Sequence, residues 1–515
     1  MKKLQEISLF GALGAAALAT AAVVSTGAAV PAEPTTAAPL SVQKAMELQI
    51  RERVASVVTG LLDEPDHDHT DHGPSCLMSG VGSVLAAPGT PPEAIEATLI
   101  RMEEYLASVS WDGEGEDTSN LARFQAGDRW GSIADRGTPV ALTYSFPPDG
   151  IPVSGGTNVI NADLTSIYGS ASTWKNIFAQ EFQRWADATG VTFTEVSDDG
   201  ATWAAAPGPF NGGSSRGDIR IVMGPDDGPS NTLAFNFFPD NGDMQLDEAE
   251  NWAFSNFLRN VVGHELGHAQ GISHVCPANT SKLMEPFANG LIGPQFDDRL
   301  AAQFLYGDRF EPNNAGGTSI DLPALGLMNT GNPLIVEELS LHSGSDFDLM
   351  RFEALEGTEI NVQVRPVGTS YLEGPQNFDG SCSAGTSFNS GAVSDLIVDI
   401  LRPNFSTAAT ANSTAAGQAE TIAGLEADTE GTWYVRVRSA NSFSDAQMYE
   451  VTISTEGGGM GLPADFSGNG CVDATDLAVL ISAWGTPGAD ITGDGTTAAG
   501  DLAVLIGSWT GSNCN

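Results

Sequence analysis

His264-Glu265-Leu266-Gly267-His268-Ala269-Gln270-Gly271-Ile272-Ser273-His274 lies near the middle of a 515-residue chain that has only 7 histidines in all. On a helix, residues four apart lie one turn apart on the same face, so His264 and His268 can reach a single ion. Glu265 beside them is placed to face a metal-bound water as general base. Gly271 can take the positive φ that stops a helix and turns the chain, which brings His274 back as a third ligand. Three neutral imidazoles leave the fourth tetrahedral position open for water, the arrangement of a catalytic zinc site. A bare HExxH arises by chance; the extension by a glycine and a third histidine is far more restrictive.

Outward from this stretch the pattern is mixed α and β. A helix is expected from about Ala249 to Gln270, carrying the histidines. Trp174 to Thr189 reads as an amphipathic helix, with Trp174, Phe178, Phe182 and Trp185 on one stripe and Gly190 as its stop. Val140–Phe146, Val191–Val196 and Asp218–Met223 read as strands.

The extended histidine pattern is that of the metzincin proteases, and its surroundings narrow the resemblance. Leu283-Met284-Glu285-Pro286 resembles the turn whose methionine lies beneath the zinc in that clan. Phe296-Asp297-Asp298 through Leu305-Tyr306-Gly307 is similar to the C-terminal helix of the matrixins, the matrix-metalloproteinase family. Asp227-Gly228-Pro229, Leu233 to Pro239 and Asp243 to Trp252 look like that family's calcium loop, edge strand and entry to the active-site helix. The resemblance covers about 180 residues, placed at 124–307, and implies an α/β (α+β) metzincin catalytic domain with a twisted mixed sheet. It implies one catalytic zinc, endopeptidase action, Met284 as a structural residue, and a structural calcium bound by Asp227, Asp247 and Glu250. It also implies a substrate extended along Leu233 to Phe237, adding a strand to the sheet. The chain departs from the family in three places. Phe235 and Gln245 stand where histidines usually bind a second zinc, Val275 follows the third histidine, and the Arg-Cys-Gly type of latency motif is missing. Cys76 is the one upstream cysteine that could block zinc, the alternatives being an idle or disulfide-bonded thiol.

From Asp308 to Glu456 the composition turns Gly-, Ser- and Thr-rich with short alternating runs, as in an all-β sandwich. Asp308 to Asn313, Asp346-Phe347-Asp348, Ser394-Asp395-Leu396 and Gly431 to Val437 are similar to the bacterial pre-peptidase C-terminal domain. Asp346 and Asp348 read either as calcium ligands or as solvated turn acids. A glycine-rich linker, 457–463, leads to a small α-helical module at 464–515 with an internal repeat, Asp476 to Trp484 and Asp501 to Trp509. This module resembles dockerin-type calcium repeats. Its first loop offers Asp465, Ser467, Asn469, Asp473 and Asp476, and its second Asp490, Thr492, Asp494 and Asp501, at EF-hand-like spacing. Ala498 takes the remaining ligand position of the second loop. The repeated Leu-Ala-Val-Leu-Ile helices read as the module's own core, and the resemblance implies a cohesin-like or cell-surface partner. Cys471 and Cys514 bracket the module and are the expected disulfide; Cys76, Cys276 and Cys382 have no evident partners.

At the other end, Lys2 and Lys3 precede the uncharged run Leu9–Val24 and small residues, so 1–32 reads as an export signal and the mature chain as secreted, with no membrane span. Residues 33–123 read as a pro-region or spacer with helices near 42–62 and 92–109. Within it, Asp66 to His72 is a His/Asp tract, read as a solvated loop against loose metal binding. With 22 basic and 65 acidic residues, the net charge of −43 argues against nucleic acid and anionic membranes as partners. Two function classes follow: a secreted zinc metalloendopeptidase acting on extracellular proteins, or a calcium-dependent adhesion or scaffold protein with an inert protease-like domain. A tail-borne role in a polysaccharide-degrading assembly is a third reading.

Overall fold

The aromatic stripe folds as read. Helix α3 (Ala171–Ala188) buries Trp174, Phe178, Phe182 and Trp185, and the Ser170 hydroxyl caps it by accepting from the Thr173 N–H at 3.2 Å. It ends two residues before Gly190, where a Cβ would stand 2.2 Å from the Tyr306 carbonyl oxygen, so only glycine lets the two segments meet. The computed structural model describes residues 82–109, 125–205, 215–377, 380–443, 445–457, 464–466, 471–492 and 494–510. The export segment, the helix near 42–62, the 66–72 tract, Cys76, Ser467, Asn469, Cys514 and residues 458–463 lie outside them.

Six strands make the first sheet: β1 (Gly82–Ala86), β2 (Val140–Ser145), β3 (Val191–Glu195), β4 (Ile219–Gly224), β5 (Thr232–Phe237) and β6 (Met244–Asp247), in the order β1-β5-β6-β4-β2-β3. β3 and β4 lie parallel to β2, and β6 parallel to β4, while β5 and β1 run antiparallel to their neighbours. Helices α2 (Ile160–Tyr168) and α3 make the crossover between the parallel strands β2 and β3. Helix α4 (Ser255–Ala269) carries the histidines, and α5 (Phe296–Tyr306) closes this part of the chain. One buried cluster joins the α3 stripe to Leu258, Val262 and Leu266 of α4 and to Leu300 and Leu305 of α5. The active-site helix begins six residues later than its acid-rich lead-in suggested, because the chain from Glu248 to Phe254 turns, with the Trp252 indole donating to the Asp247 carbonyl at 2.8 Å.

Two elements fall within the stretch read as spacer. β1 pairs with β5, and α1 (Pro92–Ser108) buries Ile95, Leu99, Met102 and Leu106 against Val222, Phe235 and Phe237. Arg101 of α1 also forms an ion pair with Asp226.

Downstream come β7 (Val275–Cys276), β8 (Ile320–Asp321), β9 (Leu334–Leu341), β10 (Phe347–Ala354), β11 (Thr358–Pro366), β12 (Ser370–Pro375), β13 (Thr386–Asn389), β14 (Leu396–Leu401), β15 (Thr407–Ala411), β16 (Glu420–Glu426), β17 (Gly431–Ser439) and β18 (Gln447–Gly457). They form a five-stranded sheet, β8-β10-β17-β14-β15, and a four-stranded one, β9-β18-β11-β16, and both contribute to one buried cluster that includes Phe352, Val362, Trp433 and Val451. A third sheet, β13-β12-β7, ties this region back to the segment after His274. Cys276 and Cys382, for which the sequence offered no partner, form a disulfide across the same junction.

At the C-terminal end, α6 (Ala474–Ser482) and α7 (Ala499–Gly507) pack through Leu480 and Leu505. The repeated helices are only partly core: Ile481, Trp484, Ile506 and Trp509 remain exposed. Among the described residues, no helix is long and apolar enough to cross a membrane.

Candidate metal centre

Every residue of α4 from Asn260 to Ala269 is buried. The α3 stripe holds this helix through the Trp185 indole, which donates to the Gly263 carbonyl at 2.9 Å. Gly271, at φ 88°, reverses the chain; a Cβ there would meet the Asp128 carbonyl oxygen at 2.0 Å. The turn delivers His274 to the two helical histidines.

The three Nε2 atoms converge: His264 to His268 is 3.0 Å, and each is 3.2 Å from His274. Each Nδ1 faces an oxygen acceptor: the Leu283 carbonyl at 2.7 Å for His264, the Ile272 carbonyl at 2.7 Å for His268, and Gln376 Oε1 at 2.8 Å for His274. An oxygen acceptor requires the proton on Nδ1, so all three Nε2 atoms turn bare lone pairs toward one point. Burial pushes the pKa of His264 and His268 well below 6.5, and that of His274 down to about 4, which keeps the rings neutral. Three lone pairs this close repel unless a cation lies between them. A tetrahedral ion touching all three would stand about 2 Å from each, the zinc–imidazole distance. The residues fit zinc.

Glu265 is fully buried next to the triad, with neither carboxylate oxygen in a hydrogen bond of normal geometry. Burial raises its pKa well above the ordinary value, with the Leu85 backbone N–H as the opposing influence. Met284 is buried against the helix, where a Cβ on Gly267 would lie 2.3 Å from its sulfur. Its turn is pinned by Asp298, at the start of α5, whose carboxylate accepts from the Leu283 and Met284 N–H groups at 2.8 and 3.1 Å. Asp298 thereby positions the carbonyl that orients His264.

The edge expected to receive substrate is already paired. β1 lies antiparallel on β5, with Ser83 opposite Asn236, Val84 opposite Phe235 and Leu85 opposite Ala234. On its other side the Ala288 N–H donates to the Ala86 carbonyl at 2.9 Å. The Ser83 hydroxyl stands 3.5 Å from His274 Nε2. The chain's own segment therefore covers this edge beside the histidines. Its approach to Glu265 and His274 was invisible to sequence reasoning.

Among the described residues, two groups bring three ligand atoms within 4.8 Å of one another: the histidine triad, and Glu311, His342 and Asp346. Asp346 of the second group is buried, as are its charged neighbours Asp308 and Asp348, so Asp346 and Asp348 are not solvated turn acids. Burial, reinforced by Asp346 and its neighbours, raises Asp308 to about 7 and Glu311 to about 8. Asp227, Asp247 and Glu250 come near enough for Asp247 to raise the pKa of the other two, after burial, without forming such a group. Asp227 accepts from the Thr232 N–H at 3.2 Å, and Asp247 from the Ala249 N–H at 3.0 Å. In the C-terminal loops, Asp501 accepts from the Ile491 and Thr492 N–H groups, Asp490 from those of Asp494 and Gly495, and Asp476 from that of Asp473. Cys471 is disulfide-bonded. Phe235 packs with Trp203 and Phe237, and the Gln245 amide bonds the Ser154 backbone in both directions.

Residues 161–307 match the matrixin family model. The chain is 29% identical over 198 residues to the metalloendoproteinase 4-MMP of Arabidopsis thaliana, covering 36% of this chain and 49% of that protein. It is 34% identical over 150 residues to the interstitial collagenase of Oryctolagus cuniculus, covering 28% and 30%. With the hatching enzyme of Paracentrotus lividus it shares 29% over 273 residues, covering 46% and 42%. The chain thus spans about half or less of the length of these relatives.

Proposed function

We propose that this chain is a secreted zinc-dependent endopeptidase of matrixin type, acting on extracellular proteins. The observation that carries the reading is the convergence of three Nε2 atoms, each ring with its Nδ1 on an oxygen acceptor, beside a buried carboxylate. His264, His268 and His274 would hold the metal. A zinc ion supplies Lewis acidity toward the scissile carbonyl and an acidified water. Glu265 takes the proton released as water attacks the carbonyl carbon and delivers it to the leaving amine as the C–N bond breaks. Its burial suits that shuttle, because a carboxylate whose pKa is raised is a stronger base toward the attacking water than an exposed one. The Leu283, Ile272 and Gln376 oxygens keep each ring in the Nδ1–H tautomer throughout. The edge of β5, once β1 has left it, offers main-chain hydrogen bonds to an extended peptide.

Calcium fits the remaining acidic sites. We assign it to Asp227, Asp247 and Glu250, to the half-buried Glu311 with the buried Asp308, Asp346 and Asp348, and to the loops at 465–476 and 490–501, whose sequences supply hard oxygen donors. On this reading 308–456 is an accessory β-sandwich, and 464–515, closed by Cys471 and Cys514, is a dockerin-like module for a cohesin-like or cell-surface partner.

The test pairs zinc content with casein cleavage for the wild type and Glu265→Ala. About one zinc per catalytic domain is expected in both, with cleavage reduced by several orders of magnitude in the variant. A wild type that holds zinc but cuts nothing, even after removal of the residues before 124, would favour the adhesion or scaffold reading.

A further inference from the structure

His274 is the one histidine of the triad whose outer nitrogen is not held by a backbone carbonyl. Its partner, Gln376, is 102 residues downstream and buried. The amide orientation is fixed independently: Gln376 Nε2 donates to the Gly380 carbonyl at 2.8 Å, and a carbonyl can only accept. That leaves Oε1 to take the His274 Nδ1–H. The backbone is held on both sides of the glutamine. β12 pairs with β7 immediately before it, Gly374 opposite Cys276 and Pro375 opposite Val275. After it, Gln376 bridges to Cys382, which is disulfide-bonded to Cys276, two residues past the ligand. Tyr371 of β12 adds a hydroxyl contact to Asp297 at the start of α5.

We propose that Gln376 is a positioning residue for His274, and that the metal centre is completed by this downstream glutamine at the end of β12. The inference rests on the zinc reading above. Without an acceptor at this place, Nδ1 and Nε2 compete for the single imidazole proton, and the ring loses both its tautomer and its orientation. Residues 161–307 alone would then hold the metal with two anchored rings and one loose one.

The experiment is competition for zinc between a chromophoric chelator and the full-length chain, as wild type, Gln376→Leu and Gln376→Glu. The visible spectrum of the cobalt(II)-loaded forms and the metal-free thermal midpoints are recorded alongside. Leucine removes the acceptor and the Gly380 bond, whereas glutamate keeps the acceptor and loses only the Gly380 bond. We expect Gln376→Leu to weaken zinc about 10- to 100-fold and alter the cobalt spectrum, with Gln376→Glu staying within a few-fold of wild type. If the wild type itself binds no zinc, the zinc reading and this inference both fall. If the wild type binds and Gln376→Leu binds equally well, the inference alone falls. If glutamate loses as much affinity as leucine, the effect comes from the Gly380 bond, and the positioning role is overturned.

Discussion

Between the two helical histidines, Gly267 is where Met284 touches the backbone: a Cβ there would lie 2.3 Å from the sulfur and 3.2 Å from Trp185. Overpacking of this kind costs about 1–3 kcal/mol, offset by about 1 kcal/mol of helix propensity. Gly267→Ala should therefore lower unfolding free energy in urea by about 1 kcal/mol, and in a Met284→Ala background the same change should stabilise. Equal effects in both backgrounds would refute the contact. Asp297 gives a pH prediction. Burial, then the neighbouring Asp298, raises it to about 7 from 3.8, while the Tyr371 hydroxyl opposes the shift. A carboxyl that keeps its proton in the folded state contributes stability present below pH 4 and lost as pH rises through 7. Asp297→Asn, which mimics the protonated form, should match wild type below pH 4 and exceed it by a growing margin as pH rises to 8, by about 1 kcal/mol or more, measured by denaturant titration. The histidines and Glu265 were legible because helical spacing is a local code. Gln376 and Asp298 were not read as supports, since their partners are set by tertiary contact and no spacing announces them.

The α3 helix could be read from four aromatic residues because an amphipathic stripe is written at short range. β1 could not. Gly82–Ala86 is five residues, all buried, with no alternation, and its identity as a strand depends on a partner about 150 positions away. That strand sits between β5 and the Pro286–Ala288 segment, so proline at its centre is incompatible with its place. Val84→Pro should dislodge it and raise cleavage of a short peptide by the full chain about tenfold or more, provided zinc content is unchanged; unchanged or lower turnover would show that β1 does not limit access.

Across the whole molecule, the boundary drawn at Asp308 is real in composition and incomplete in structure. The β12–β7 ladder and the Cys276–Cys382 bond, which closes a span of 106 residues, join what composition separated. A cross-link over a loop of that size is worth about 4–5 kcal/mol in the chain-entropy account. Calorimetry of the oxidised chain should show residues 125–457 melting in one transition, and reduction should lower its midpoint or split it in two. Two separate transitions in the oxidised protein would mean the junction carries no coupling.

The strand β1 belongs to the same chain as the β5 edge it covers, and that changes the kinetics of access. A tethered segment competes at an effective concentration in the millimolar range, whatever the protein's own concentration. Dilution into the surroundings therefore does nothing to free the site. A single cut between residues 109 and 125 would turn the contest into a bimolecular one, in which dilution after release favours the substrate.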